Sequence, residues 1–94
     1  MKKSSLKKDL EKIVSISKKY GAERVLLFGS CVDDIEHARD IDIAVKGVNP
    51  RKFYEFYSKV SFAVKDEVDI IDLHDVSPYF AQCVNERGRV LYEH

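Results

Sequence analysis

Two acidic residues, Asp40 and Asp42, are separated by one residue in the apolar segment DIDIAV and could form a binding or catalytic site. In a β-strand, residues at this spacing point to the same face and are about 7 Å apart along the backbone. Two charged carboxylates on one face need a counter-ion, and their hard oxygen atoms suit Mg²⁺. A third acid from a neighbouring strand would allow two metals and an in-line phosphoryl transfer.

Gly29 and Ser30 end the apolar run that precedes these acids. A glycine at a strand end lets the backbone approach a ligand closely, and Ser30 would open the next segment with free N–H groups. Such a turn could bind phosphate oxygens near the metals. The pair of acids alone is more simply explained as surface acids at a strand end, whereas the two motifs together favour a site.

The elements that must position these residues follow from the spacing of apolar side chains. Helical spacing predicts helices over residues 4–20 and 51–65, and the second turns Phe53, Phe56 and Tyr57 toward the core. A third helix is expected from Ser77, as its N-cap, and Pro78 to Gly88. Short apolar runs predict strands over residues 24–28, 40–45, 67–73 and 89–92. In the second strand, Ile41, Ile43 and Val45 share one face, and Asp40, Asp42 and Ala44 share the other. The first two strands are too closely linked for a crossover helix, so we expect them to be antiparallel.

The fold class predicted from this order is α/β (α+β), with a mixed β-sheet of about four strands flanked by helices. The chain of 94 residues is expected to form one domain, residues 1–94. Basic and acidic residues number 16 each, which argues against strong general nucleic-acid binding. No apolar stretch is long enough to span a membrane, and Cys31 and Cys83 lack metal-ligand spacing, so we expect a cytoplasmic protein with free thiols.

The segment LLFGSCVDDIEHARDIDIAV, followed by EVDIIDL and ERGRVLYE, resembles the minimal nucleotidyltransferase (MNT) domains of the DNA polymerase beta superfamily. The resemblance runs from about Arg24 to Glu93. It implies a polymerase-beta-like nucleotidyltransferase fold. It also implies that Gly29 and Ser30 hold the triphosphate, that Asp40 and Asp42 ligate two Mg²⁺ ions, and that Asp69 is the third carboxylate.

The reaction implied by the resemblance transfers a nucleoside monophosphate, AMP from ATP, to a hydroxyl of a partner macromolecule. Domains of this kind are commonly paired with a HEPN-family protein in toxin–antitoxin modules, with the MNT member as antitoxin. The alternative is a catalytically weak or inactive nucleotide-binding protein that masks its partner by stoichiometric binding. The segment CVDDIEHAR favours this alternative because it lacks the glycine that is common there in the family. The acids Asp40, Asp42 and Asp69 favour the enzyme.

Several other residues allow both a functional and a structural interpretation. Asp72 lies three residues after Asp69, on the opposite side of the strand, and is expected to be a turn or cap residue. Solvated side chains are the simpler explanation for His37 and His74, and an inert thiol for Cys31. Tyr54 and Phe62 fall off the apolar stripe of their helix and would suit a partner interface in a homo- or hetero-oligomer.

Overall fold

The computed structural model describes residues 3–29, 40–65 and 67–94, with residues 3–6 and 40 described by their backbone alone. The elements in chain order are α1 (Lys3–Lys19), β1 (Arg24–Phe28), β2 (Asp40–Lys46), a 3₁₀ helix (Pro50–Lys52), α2 (Phe53–Ala63), β3 (Glu67–Asp72), α3 (Pro78–Arg87) and β4 (Arg89–Glu93). The predicted order is confirmed. The helix predicted over residues 51–65 is shorter, because Pro50 opens a separate 3₁₀ turn and the backbone is extended at Val64.

The four strands form one mixed sheet in the order β3-β2-β1-β4. β1 is antiparallel to both β2 and β4, whereas β2 and β3 are parallel. The parallel pair is possible because α2 carries the chain back between the two strands. The predicted mixed sheet, with an antiparallel first pair, is therefore confirmed.

The larger core lies between one face of the sheet and the helices α1 and α2. The buried strand residues on this face are Val25, Leu27, Ile41, Ile43, Val45, Val68 and Ile70, and the helices add Ile13, Phe56 and Val60. This face matches the alternation predicted for β2. The two helices also contact each other, since the Tyr20 hydroxyl donates to Glu55 Oε2 over 2.7 Å.

The opposite face of the sheet is covered by α3 through a smaller cluster of Leu26, Ala44, Leu73 and Val84. Helix α3 begins at Pro78, and the Ser77 hydroxyl accepts a hydrogen bond from the Phe80 N–H over 3.2 Å. This is the predicted N-cap arrangement. Phe28, at the carboxyl end of β1, packs against this cluster, whereas the amino ends of β2 and β3 lie beyond Leu26 and Ala44 on the same face.

Replacing Ser77 by alanine is expected to lower the free energy of unfolding by about 1 kcal/mol, because the α3 amino end loses its side-chain acceptor. Urea unfolding followed by circular dichroism measures the change. Ser58→Ala is the matched control, since Ser58 is exposed within α2 and alanine suits a helix interior. Equal unfolding midpoints for Ser77→Ala and the wild type would contradict the assigned cap.

Candidate functional site

The parallel pairing of β2 with β3 brings two of the predicted acids together. Asp42 is in register with Asp69, so the two side chains leave adjacent strands on the same face, with the strands about 4.8 Å apart. Asp42 is also opposite Phe28 across the antiparallel pair. Backbone register places Asp40 opposite Glu67, one step further along the same face. Four acids therefore occupy neighbouring register positions at this end of the sheet.

Gly29 follows β1 directly and lies against the Asp42 carboxylate. Its φ is +77°, a left-handed backbone conformation that residues other than glycine rarely adopt. A Cβ atom added at Gly29 would overlap Asp42 Oδ2 and would lie 3.2 Å from Asp42 Cγ. The absence of a side chain at Gly29 therefore gives the Asp42 carboxylate its space. Gly29 therefore lies directly beside one member of the acid pair.

The donor set at this end of the sheet suits Mg²⁺, because carboxylate oxygens from adjacent strands are hard ligands that the ion accepts readily. Asp42 is half-buried and Asp69 is exposed, so a cation would stay open to solvent and substrate. Within residues 3–29, 40–65 and 67–94, no three potential ligands already form a metal-binding group. The side chain of Asp40, which is also a predicted ligand, lies outside the described part.

Tyr57 on α2 contacts Asp69 of the acid pair, whereas helical spacing predicts only a core position for it. Its hydroxyl donates to the Val68 carbonyl oxygen over 3.0 Å and is 3.3 Å from Asp69 Oδ1. Burial raises the pKa of the Tyr57 hydroxyl above its ordinary value, opposed by the Ile70 backbone N–H and reinforced by the negative charge of Asp69. The hydroxyl therefore keeps its proton at neutral pH and is available as a donor.

The family of the chain is decided by a sequence profile. The profile described as "Polymerase beta, Nucleotidyltransferase" matches residues 11–94, which include the strands and acids described above. The chain belongs to the polymerase beta nucleotidyltransferase family. The resemblance noted in the sequence is thus confirmed at the level of the family. No curated protein sequence matches the chain.

Solved structures that resemble this member of the family include complexes of toxin–antitoxin systems. One is a toxin–antitoxin structure with AMP-PNP, at 27% identity and a TM-score of 0.75, covering 90% of this chain and 73% of that chain. Another contains a tri-AMPylated HEPN toxin of Shewanella oneidensis with its MNT antitoxin, at 26% identity and a TM-score of 0.72, covering 94% and 72%. A candidate minimal nucleotidyltransferase shares the fold at 21% identity, a TM-score of 0.79 and 94% coverage of both chains.

The remaining predicted residues of this nucleotidyltransferase are placed as follows. Ser30, Cys31 and His37 lie outside the described residues. Asp72 faces away from the acid pair, and its Oδ1 accepts a hydrogen bond from the His74 N–H over 2.9 Å, which is the predicted turn role. His74 is exposed.

Helices α2 and α3 both carry exposed aromatic side chains. Phe80 on α3 meets Phe28 edge to face, with ring centroids 6.2 Å apart, and so borders the site next to Asp42. Tyr54 and Phe62 on α2 are 88% and 92% exposed, as expected from their position off the apolar stripe. Their use as a partner surface stays a prediction.

The buried face of α1 contains an acid that the apolar spacing did not include. Asp9 is 3% exposed and is followed at steps of four by the buried residues Ile13 and Ser17. The Ser17 hydroxyl donates to the Ile13 carbonyl oxygen over 2.6 Å, whereas Asp9 Oδ2 has no hydrogen-bond partner among the described residues. No helix within the described residues is long and apolar enough to cross a membrane.

Proposed function

We propose that this chain is a Mg²⁺-dependent nucleotidyltransferase that transfers AMP from ATP to a hydroxyl group of a HEPN-family partner protein. The observation that carries the proposal is the pairing of Asp42 with Asp69 on one face of the sheet, against the side-chain-free Gly29. Membership of the polymerase beta nucleotidyltransferase family supports it. The proposal includes a single domain over residues 1–94 and a cytoplasmic location.

Each site residue has a role in this proposal. Asp40, Asp42 and Asp69 would hold two Mg²⁺ ions, which supply charge neutralisation for an in-line phosphoryl transfer. Gly29 and Ser30 bind the triphosphate, with Gly29 leaving room for close approach of the backbone. Asp69, on the exposed outer strand, lies where an acceptor hydroxyl can approach from solvent. The oxygen of that hydroxyl attacks the α-phosphorus and releases its proton to solvent, the bond from the α-phosphorus to the β-phosphate oxygen breaks, and pyrophosphate leaves.

The partner assignment follows from the relatives. The MNT antitoxin of Shewanella oneidensis forms a complex with a HEPN toxin that is AMPylated, and another relative was solved with AMP-PNP. Both are about a quarter identical to this chain over nine-tenths of its length or more. We infer that this chain acts as the antitoxin of such a pair, by modifying its partner.

The test is label transfer from ATP to a purified HEPN-family protein that is incubated with this chain. ATP labelled at the α-phosphorus is compared with ATP labelled at the γ-phosphorus, each with Mg²⁺ and with EDTA. We expect label on the partner from the α-position only, with complete loss in EDTA because the acids alone cannot neutralise the triphosphate. Mass spectrometry then identifies the modified hydroxyl.

Two outcomes would contradict the proposal. Label from the γ-position would indicate a kinase reaction. Absence of label from both positions, with Mg²⁺-ATP still bound in calorimetry and the partner still inhibited, would support a nucleotide-binding protein that masks its partner without turnover. The composition of the segment CVDDIEHAR, between β1 and β2 in the sequence, favours this second candidate.

A further inference from the structure

Tyr57 joins the second helix to the outer strand of the sheet at the proposed site. Its ring packs beside Phe53, with centroids 6.3 Å apart, and belongs to the larger core. Its hydroxyl reaches β3, which is an edge strand of the described sheet and pairs there with β2 alone. The 3.0 Å hydrogen bond to the Val68 carbonyl oxygen fixes the hydroxyl at this open edge. The tyrosine is therefore held at both ends.

This fixed hydroxyl is also the described hydrogen-bond partner of Asp69, at 3.3 Å from Oδ1. Asp69 is exposed on an edge strand, where a carboxylate without a partner samples several rotamers, and a ligand that needs one rotamer binds less tightly. A tyrosine hydroxyl has one hydrogen to donate. It can be donated to Asp69 Oδ1 or to the Val68 carbonyl oxygen, and only the bond to Asp69 orients the carboxylate.

The geometry points to Tyr57 as a positioning residue, whose hydroxyl holds the Asp69 carboxylate in the orientation in which it shares a cation with Asp42. This inference rests on the proposed function, because it takes Asp69 as a metal ligand. Outer-shell groups of this kind orient the ligating carboxylate, and their loss typically lowers metal affinity or activity by about 10- to 100-fold. Tyr57 itself would touch neither the cation nor the nucleotide.

A purely structural role is the competing explanation, since the same hydroxyl donates a hydrogen bond to a backbone carbonyl of an edge strand. Both explanations allow some loss of stability when the hydroxyl is removed. They differ in coupling: a positioning residue acts through Asp69, so its effect on cation binding must disappear when Asp69 can no longer bind the cation.

The experiment is a double-mutant cycle on Mn²⁺ affinity, measured by electron paramagnetic resonance with the full chain and Mn²⁺ as probe. The four proteins are the wild type, Tyr57→Phe, Asp69→Asn and the double variant. We expect Tyr57→Phe to weaken Mn²⁺ binding by about 10-fold, and by less than about 2-fold in the Asp69→Asn background. Tyr54→Phe is the matched control on the same helix, since Tyr54 is 88% exposed, and should leave affinity unchanged.

A second measurement does not depend on how the variants fold. Three-bond couplings in the wild-type protein report the χ1 rotamer of Asp69, and we expect one dominant rotamer. Averaged couplings in the wild type would overturn the inference, as would equal weakening by Tyr57→Phe in both backgrounds or no weakening at all. A wild type that binds no Mn²⁺ would overturn it as well.

These outcomes separate the inference from the proposed function. Coupled Mn²⁺ binding without label transfer to the partner would keep Tyr57 as a positioning residue and reject the transferase. Label transfer with uncoupled Mn²⁺ binding would keep the transferase and reject the role of Tyr57.

Discussion

Replacing Asp42 by asparagine is expected to lower AMP transfer to the partner by more than about 100-fold, because loss of an outer-shell group alone already costs about 10- to 100-fold. Asparagine keeps the shape of the side chain against Gly29 but carries no negative charge. The variant should therefore fold and fail to hold the cation beside Asp69. Initial rates of label transfer at saturating ATP measure the loss.

Asp72→Asn is the matched control for this experiment, because Asp72 is an acid of the same outer strand that faces away from the site. Asparagine can still accept the hydrogen bond from the His74 N–H, so transfer should stay within about 2-fold of the wild type. Thermal unfolding adds a readout without turnover. Mg²⁺ should raise the melting temperature of the wild type and of Asp72→Asn, but not that of Asp42→Asn. A fully active Asp42→Asn would reject the proposed metal site.

Much of the fold was predictable because its signals are local. The alternation in β2 assigned Ile41 and Ile43 to the core face and Asp42 to the other face, and both assignments hold in the sheet. The short connection between β1 and β2 excluded a crossover helix and so fixed their antiparallel pairing. Ser77-Pro78 specified the start of α3 through its own capping chemistry.

The register between β2 and β3 was not predictable from these local signals. Strand periodicity separates Asp69 from Asp72 by face, but it does not say which of them lies beside Asp42. That position depends on how α2 returns the chain to form the parallel pair, which is set by packing over the whole core. The family resemblance had implied Asp69 as the third carboxylate, and the register places this residue beside Asp42.

The contacts and burial of two side chains, Tyr57 and Asp9, were also not predictable from local sequence signals. Helical spacing assigned the Tyr57 ring to the core, and the ring does pack there, but its hydroxyl extends beyond the core to an edge that only the sheet order defines. Asp9 falls on the buried face of α1 although it is charged. A pattern of apolar residues cannot include an acid, so its burial had no signal in the sequence.

Replacing Gly29 by alanine is expected to lower the free energy of unfolding and to impair transfer through Asp42. The backbone conformation at φ +77° costs about 1–2 kcal/mol for a residue with a Cβ atom. The new methyl group would also overlap Asp42 Oδ2, so the carboxylate must turn away from its position beside Asp69. Transfer should therefore fall by about 10-fold or more, the loss expected when a ligating carboxylate is misoriented.

Gly21→Ala separates the two effects, because Gly21 has a similar φ of +82° with nothing within 4 Å of an added Cβ atom. Urea unfolding should show a comparable loss of stability for both variants, whereas label transfer should fall only for Gly29→Ala. The Mn²⁺ affinity of Gly29→Ala should fall with its activity, since the displaced group is a proposed ligand. Equal transfer by the two variants would contradict this prediction. It would show that Gly29 is needed only for its backbone conformation, and that an added methyl group does not displace the Asp42 carboxylate.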